Sequence, residues 1–201
     1  MYITCLDLEG VLVPEIWVAF SEESGIPELK RTTRDEPDYD KLMRWRLDLL
    51  RERGLGLREI QAVIEKIDPL PGAKAFLDTL RGECQTVIIS DTFTQFAAPL
   101  MRKLGMPTIF CNELTVAPDG TITGYRMRTQ HSKLTTVRAL QSMGYDTIAS
   151  GDSYNDLAMI EASAAGFLFR TTDQIKADHP ALSAFTEYDD LLAAIRAQLR
   201  K

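Results

Sequence analysis

Three short apolar runs in this chain each end on a polar tip, and that recurrence constrains the fold more than any other feature of the sequence. Tyr2-Ile3-Thr4-Cys5-Leu6 breaks into Asp7-Leu8-Glu9-Gly10. Thr86-Val87-Ile88-Ile89 breaks into Ser90-Asp91-Thr92, and Thr147-Ile148-Ala149-Ser150 into Gly151-Asp152. Short apolar runs bounded by turn residues read as buried strands. Segments of helical period separate and follow them: Ala73 to Arg81, Phe93 to Leu104, Lys133 to Met143, Asp156 to Ala164 and Tyr188 to Leu199. Strands that alternate with helices predict an α/β fold whose parallel sheet is covered on both faces. Thr108 to Cys111 adds a further strand and Gly166 to Phe169 a final core strand. Leu114 to Val116 and Thr121 to Met127 read as a small β-hairpin about Pro118-Asp119-Gly120.

Residues 14–69 depart from this alternation. A helical period opens at Pro14 and stops at Gly25-Ile26-Pro27. Residues 31–39 read as a polar connection with Pro37 as a breaker, and Asp38 is placed to cap a helix running to Gly54. Leu57 to Ile67 gives another short helix. The stretch contains no convincing strand, so two parts are expected: an α/β core of residues 1–13 and 70–201, and a helical subdomain of residues 14–69 inserted after the first strand.

Composition excludes several classes. The 201 residues carry a formal charge of −6, which argues against binding nucleic acid through its phosphates. No apolar run is long enough to span a bilayer, and the N-terminus runs into acids with no basic region, unlike a signal peptide. Cys5, Cys84 and Cys111 are widely scattered, as expected of reduced thiols in a cytoplasmic protein. With only His131 and His179 present, a histidine zinc cluster is not expected. The expected partners are small molecules, with a homodimer left open.

The polar tips then carry the chemistry. Asp7 and Glu9 sit two apart, where the period of a strand puts both on one side. Taken alone, they read equally well as a solvated strand end. In an open parallel sheet, however, ligands bind beyond the carboxyl ends of the strands. That places Asp7 and Glu9, Ser90, and Asp152 with Asn155 and Asp156 along one edge, and Lys133 at a helix start nearby. Carboxylates brought so close repel one another, so a cation is expected among them, and hard oxygen ligands suit Mg²⁺. Lys133 and Ser90 would face phosphoryl oxygens, and an aspartate is a competent nucleophile toward phosphorus.

On these residues the chain resembles the haloacid-dehalogenase superfamily of phosphatases. The first motif is Asp7-Leu8-Glu9-Gly10-Val11, the second Ser90 after its strand, the third Lys133 and the fourth Gly151-Asp152-Ser153-Tyr154-Asn155-Asp156. Within that superfamily it looks like the phosphoserine phosphatases, most closely the phosphoserine phosphatase/homoserine phosphotransferase branch. The closer likeness rests on Asp7 to Leu12, Val13-Pro14-Glu15, Arg46-Leu47, Ser90-Asp91-Thr92-Phe93 and the Gly151–Asp156 loop. The resemblance implies a Rossmann-like core, with residues 14–69 as a helical cap. It also implies Asp7 as the nucleophile and Glu9 as the acid and base. Mg²⁺ would be held by Asp7, the backbone carbonyl of Glu9 and Asp152, with Gly10 and Asp156 in support. Ser90, Lys133 and Asn155 would bind the phosphoryl group, with Asp91 beside them, while Glu15 and Arg46 would take the substrate ammonium and carboxylate. Glu9 stands where ordinary phosphoserine phosphatases have aspartate, and Asp91 where they have glycine. Both departures match the homoserine phosphotransferase branch.

The implied activity is phosphoserine hydrolysis with transfer to homoserine, in serine and threonine metabolism. Two alternatives stand beside it: a phosphatase of another small phosphomonoester, and an inactive member that binds a partner. A nucleotide-dependent dehydrogenase is disfavoured, since no Gly-x-Gly-x-x-Gly follows a strand. An exposed charge pair on the cap is the lesser alternative for Glu15 and Arg46. Trp17, Met43 and Trp45 are expected to pack between the cap helices, with lining of the site as the alternative, Cys5 to lie in the core, and His131 to be a loop or capping residue.

Overall fold

The computed structural model describes residues 1–31, 35–36 and 38–200, so Pro37, read as a breaker, lies outside the described residues. The strands are β1 Tyr2–Leu6, β2 Gln85–Phe93, β3 Ile109–Val116, β4 Ile122–Arg126, β5 Asp146–Gly151, β6 Ala165–Phe169 and β7 Ser183–Phe185. The helices are α1 Ile16–Ser24, α2 Tyr39–Glu52, α3 Leu57–Ile64, α4 Ala73–Glu83, α5 Thr94–Lys103, α6 Ser132–Ser142, α7 Leu157–Ala162, α8 Asp173–Asp178 and α9 Tyr188–Leu199. One sheet runs in the order β4-β3-β2-β1-β5-β6-β7. Among the described residues, only the β3–β4 pairing is antiparallel. The three strands with chemical tips, β2, β1 and β5, are therefore neighbours at its centre.

Both faces of the sheet are apolar, because alternate residues of each strand point to opposite sides. Leu6, Ile88, Ile148 and Phe167 pack with α4, α5 and α9, whereas Ile3, Cys5, Ile89 and Ala149 pack with α6, α7 and α8. The first of these cores continues into the helices before α4, through Phe20, Met43, Leu47, Leu50, Ile60 and Ile64. Asp38 caps α2 by accepting from the Lys41 amide at 3.1 Å. Gly25, in the left-handed region at φ 69°, ends α1, and a 3₁₀ turn, Pro27–Lys30, follows it.

Residues 14–69 are tied to the rest at several points. The Leu70 amide donates to the Leu12 carbonyl at 2.9 Å, so the two chain crossings meet. At the hairpin turn, the Gly120 carbonyl accepts from the Leu57 amide at 2.9 Å. Further along β4, the Tyr125 hydroxyl donates to Asp40. Gln61 donates to the Gln95 carbonyl at 2.7 Å, and Lys103 to the Ile67 carbonyl at 2.8 Å.

The structure corrects four expectations. β2 does not stop at Ile89; it runs through Ser90, Asp91 and Thr92 to Phe93. The strand at Cys111 and the first arm of the hairpin are one strand, β3, because the polar pair Asn112-Glu113 stays in the ladder, Asn112 against Phe93 and Glu113 against Arg126. Gly166 to Phe169 is not the last strand: α8 and the edge strand β7 follow, and Ser183–Phe185 forms by pairing with Phe167–Phe169. The segment read as a helix from Asp156 begins as a 3₁₀ turn at Tyr154. Among the described residues, no helix is long and apolar enough to cross a membrane.

Candidate active site

The loop after β1 is built to hold a carboxylate still. The Asp7 amide extends the β1–β5 ladder by donating to the Ser150 carbonyl at 2.9 Å. Beyond it, the Leu12 and Val13 amides both return to the Leu8 carbonyl, and Gly10 takes φ 73° between them. A Cβ at Gly10 would lie 2.5 Å from the Asp152 carboxyl, so this position needs glycine for space as well as for conformation. The turn is held from behind by Tyr188, whose hydroxyl donates to the Val11 carbonyl at 2.6 Å.

Asp7 is 4% exposed, and its Oδ1 accepts from the Leu8 amide at 2.8 Å and lies 3.0 Å from Lys133 Nζ. Lys133, in the first turn of α6, also donates to Asp156 Oδ1 at 2.6 Å. The other oxygen of the fully buried Asp156 accepts from the Asp152 and Ser153 amides at 3.1 and 3.0 Å. Asp156 thus fixes both the lysine and the loop after β5. Gly151 is required there, because a Cβ would lie 2.2 Å from the Asp156 carboxyl.

Oxygens of Asp7, Asp152 and Asp156 lie within 4.8 Å of one another. Burial, then the charges of Asp156 and Asp152, push the Asp7 carboxyl well above its usual range despite Lys133. Burial and Asp156 raise Asp152 to about 7. Burial works against the Lys133 ammonium, but Asp156 and Asp7 outweigh it and hold it above the usual lysine range. One ammonium does not balance three carboxylates. The buried excess of negative oxygen is what a hard divalent cation would neutralise, so these residues fit a metal site.

A cavity of about 140 Å³ opens over Asp7. Of the residues singled out from the sequence, Asp7, Glu9, Glu15, Arg46, Ser90, Asp91, Lys133 and Asn155 line it. Asp152, Asp156 and Gly10 sit beside or beneath these residues, in the acidic cluster and at its edge. Glu9 lies at the start of α1, where Oε2 accepts from the Ile16 amide at 3.1 Å. Burial, then the neighbouring Glu15, raise its carboxyl well above the usual range. Ser90 is 2% exposed, and its Oγ accepts from the Thr92 amide at 3.2 Å. Asp91 does not point a free charge at the cavity, since it accepts from Ser132 Oγ and from Asn155 Nδ2. It thereby joins the β2 tip, the start of α6 and the loop after β5.

The helical segment contributes a second kind of group. Arg46 is buried, and no carboxylate among the described residues pairs with it. Nη2 donates to the Arg31 carbonyl at 2.6 Å, the guanidinium lies 4.4 Å from the Trp17 ring, and Nε has no partner among the described residues. Burial lowers its pKa to about 10, against the pull of Tyr39 and Glu9. An exposed Glu15–Arg46 charge pair is therefore not what the structure contains. Trp17, for which packing between cap helices is the favoured expectation and lining the site the other, packs against Phe20 of its own helix and Phe96 of α5 and lines the cavity. Cys5 is fully buried, its thiol pushed up to about 12 by burial, and His131 takes φ 48° just before α6. Sequence reasoning missed Tyr39, which lines the cavity. Its spacing from Met43 and Arg46, four and seven residues, places all three on one face of α2 and was the available signal.

The family description haloacid dehalogenase-like hydrolase matches residues 15–161. The chain belongs to that family. It is 50% identical over 191 residues to the phosphoserine phosphatase ThrH of Pseudomonas aeruginosa, covering 95% of this chain and 93% of that one. It is 49% identical over 189 residues to a phosphoserine phosphatase of Pseudomonas syringae pv. tomato, covering 94% and 80%. Among these hydrolases it therefore falls with the phosphoserine phosphatases. A substrate-bound phosphoserine phosphatase complex shares the fold, with a TM-score of 0.74, 20% identity and 92% of both chains covered. So does a phospho-aspartyl intermediate analogue of a phosphoserine phosphatase, with a TM-score of 0.73, 21% identity and the same coverage.

Proposed function

We propose that the protein is a Mg²⁺-dependent phosphoserine phosphatase that also passes the phosphoryl group to homoserine, by way of an aspartyl-phosphate on Asp7. The observation that carries this reading is the division of the cavity wall. The sheet side supplies Asp7, Ser90 and Lys133, while the helical segment supplies Glu15 and the buried Arg46, which meets no carboxylate among the described residues. Such a wall matches a molecule with a phosphoryl group at one end and an ammonium and a carboxylate at the other. A planar guanidinium that pairs with no carboxylate among the described residues, and whose Nε has no partner there, suits a substrate carboxylate. The two Pseudomonas relatives named phosphoserine phosphatase support the same substrate.

On this reading an Asp7 carboxylate oxygen attacks phosphorus as the bond from phosphorus to the serine oxygen breaks. Glu9 gives its proton to that oxygen; burial, which favours the protonated carboxyl, suits it to the task. After serine leaves, Glu9 takes the proton of the incoming hydroxyl, from water or homoserine, as its oxygen bonds to phosphorus. The Asp7 carboxylate is thereby released. Ser90 and Lys133 hold the phosphoryl oxygens, and Asp91 keeps Asn155 in place beside them. Asp7, Asp152 and the Glu9 carbonyl would hold Mg²⁺, which when bound offsets charge on the transferring group. Residues 14–69 act as a cap that recognises the amino acid, and residues 1–13 and 70–201 carry the chemistry. The free thiols of Cys5, Cys84 and Cys111 support a reducing, cytoplasmic setting.

The test is phosphate release from O-phosphoserine with and without Mg²⁺, then with rising homoserine while O-phosphohomoserine is measured. Phosphate as the sole product at saturating homoserine would reduce the protein to a phosphatase. Absence of Mg²⁺-dependent release from the folded protein would overturn the reading.

A further inference from the structure

Arg46 is not alone at its end of the cavity. Tyr39 starts α2 and lies two helical turns before Arg46, on the same face, and both residues line the cavity. The Tyr39 ring packs edge-on against Tyr125, with ring centroids 6.1 Å apart, and Tyr125 is itself held by its hydrogen bond to Asp40. The ring is thus fixed by the hairpin. The charges of Asp91, Arg46 and Glu9 all act on the phenol, and its hydroxyl makes no hydrogen bond among the described residues. A fixed donor lining a cavity that also holds a guanidinium whose Nε has no partner among the described residues is the arrangement that completes a carboxylate receptor: a planar cation on one side and a neutral O–H on the other.

We infer that the Tyr39 hydroxyl donates to the carboxylate of the substrate beside Arg46, which makes Tyr39 a specificity-determining residue. The inference rests on the phosphoserine reading and deepens it. Arg46 supplies charge, whereas Tyr39 supplies direction. A donor that finds its acceptor only when a carboxylate is bound stays unsatisfied with any substrate that lacks one, and such gaps discriminate strongly.

The experiment compares O-phosphoserine with O-phosphoethanolamine, which keeps the phosphoryl and ammonium groups and lacks the carboxylate. Wild type, Tyr39→Phe and Arg46→Ala are measured on both, with thermal melts to show that each is folded. Tyr39→Phe keeps the ring against Tyr125 and removes only the hydroxyl. Its kcat/KM on O-phosphoserine is expected to fall roughly 10- to 100-fold, carried by KM, while that on O-phosphoethanolamine changes less than about twofold. Equal loss on both substrates would mean that Tyr39 acts on the phosphoryl group or on cap closure. No loss on either would mean that the hydroxyl touches nothing that matters. Either result overturns the Tyr39 assignment and leaves the phosphoserine reading standing if Arg46→Ala still discriminates. Wild type that turns over both substrates alike overturns the reading and the assignment together.

Discussion

On the proposed mechanism Asp7 carries opposite demands: it must be ionised to attack, yet it is buried beside two other acids. Asp7→Asn should therefore separate activity from stability. Turnover should fall by at least about 10³-fold, because an amide is not a competent nucleophile. The metal-free fold should be no less stable, since a like charge leaves the cluster and Lys133 keeps Asp156. Phosphate release and a thermal melt on the same preparation check both halves, and substantial residual turnover would exclude the covalent route. Gly10→Ala makes the complementary change. Its Cβ must displace the Asp152 carboxyl, at a left-handed position that costs a side chain about 1–2 kcal/mol. The Mg²⁺ concentration for half-maximal activity should rise at least about tenfold, since the proposed ligand Asp152 is pushed out of place. An unshifted titration would put the ion away from Asp152.

At the scale of elements, α9 is remote from the cavity in sequence but reaches its turn through Tyr188. The ring stacks between Phe76 and Phe169, with centroids at 5.0 and 4.8 Å, and the hydroxyl supports Val11. Tyr188→Phe should cost about 1–3 kcal/mol, because it leaves the Val11 carbonyl unsatisfied, and a denaturant titration would show it. The effect should depend on pH. Burial raises the phenol to about 12, so folding favours its protonated form. The stabilisation is then complete below about pH 10 and is lost as pH rises through about 12. The gap between wild type and variant should close over that interval, and a gap that persists would mean the bond is not the cause. Most elements were legible because apolar period and turn chemistry agreed, as in α9, where Tyr188–Leu199 matches the expected span. Failures came where tertiary pairing overrode local polarity. Ser90, Asp91 and Asn112 look like loop residues, yet they lie within strands; Asn112 Nδ2 donates to the Asp91 carbonyl at 2.9 Å. β7 has almost no apolar run and exists because β6 offers an edge. The sheet side of the site was legible for the same reason as the sheet, since strand tips announce themselves. Tyr39 was not, because its place on the cavity wall depends on what a helix faces.

In the whole molecule, the hairpin of β3 and β4 is the brace between sheet and helices. It grips α3 at Gly120 and α2 at Tyr125. Tyr125→Phe should release the second grip while leaving the ring against Tyr39. One partly exposed hydrogen bond is worth about 0.5–1 kcal/mol, so KM for O-phosphoserine should rise roughly two- to fivefold. Amide exchange in α2 should quicken in parallel. Unchanged KM and exchange would make the bond idle.

The hydrogen bond between Leu70 and Leu12 has a longer reach than its length suggests. It brings the two ends of a helical excursion of more than fifty residues to one point on the sheet. A closed excursion of this kind can lengthen, shorten or change its lining at little entropic cost, while the strands beneath keep their register. Over generations, the choice of substrate and the chemistry done to it are then free to change at different rates. Descendants of such a chain would inherit a fixed way of moving phosphate and experiment with whose phosphate is moved.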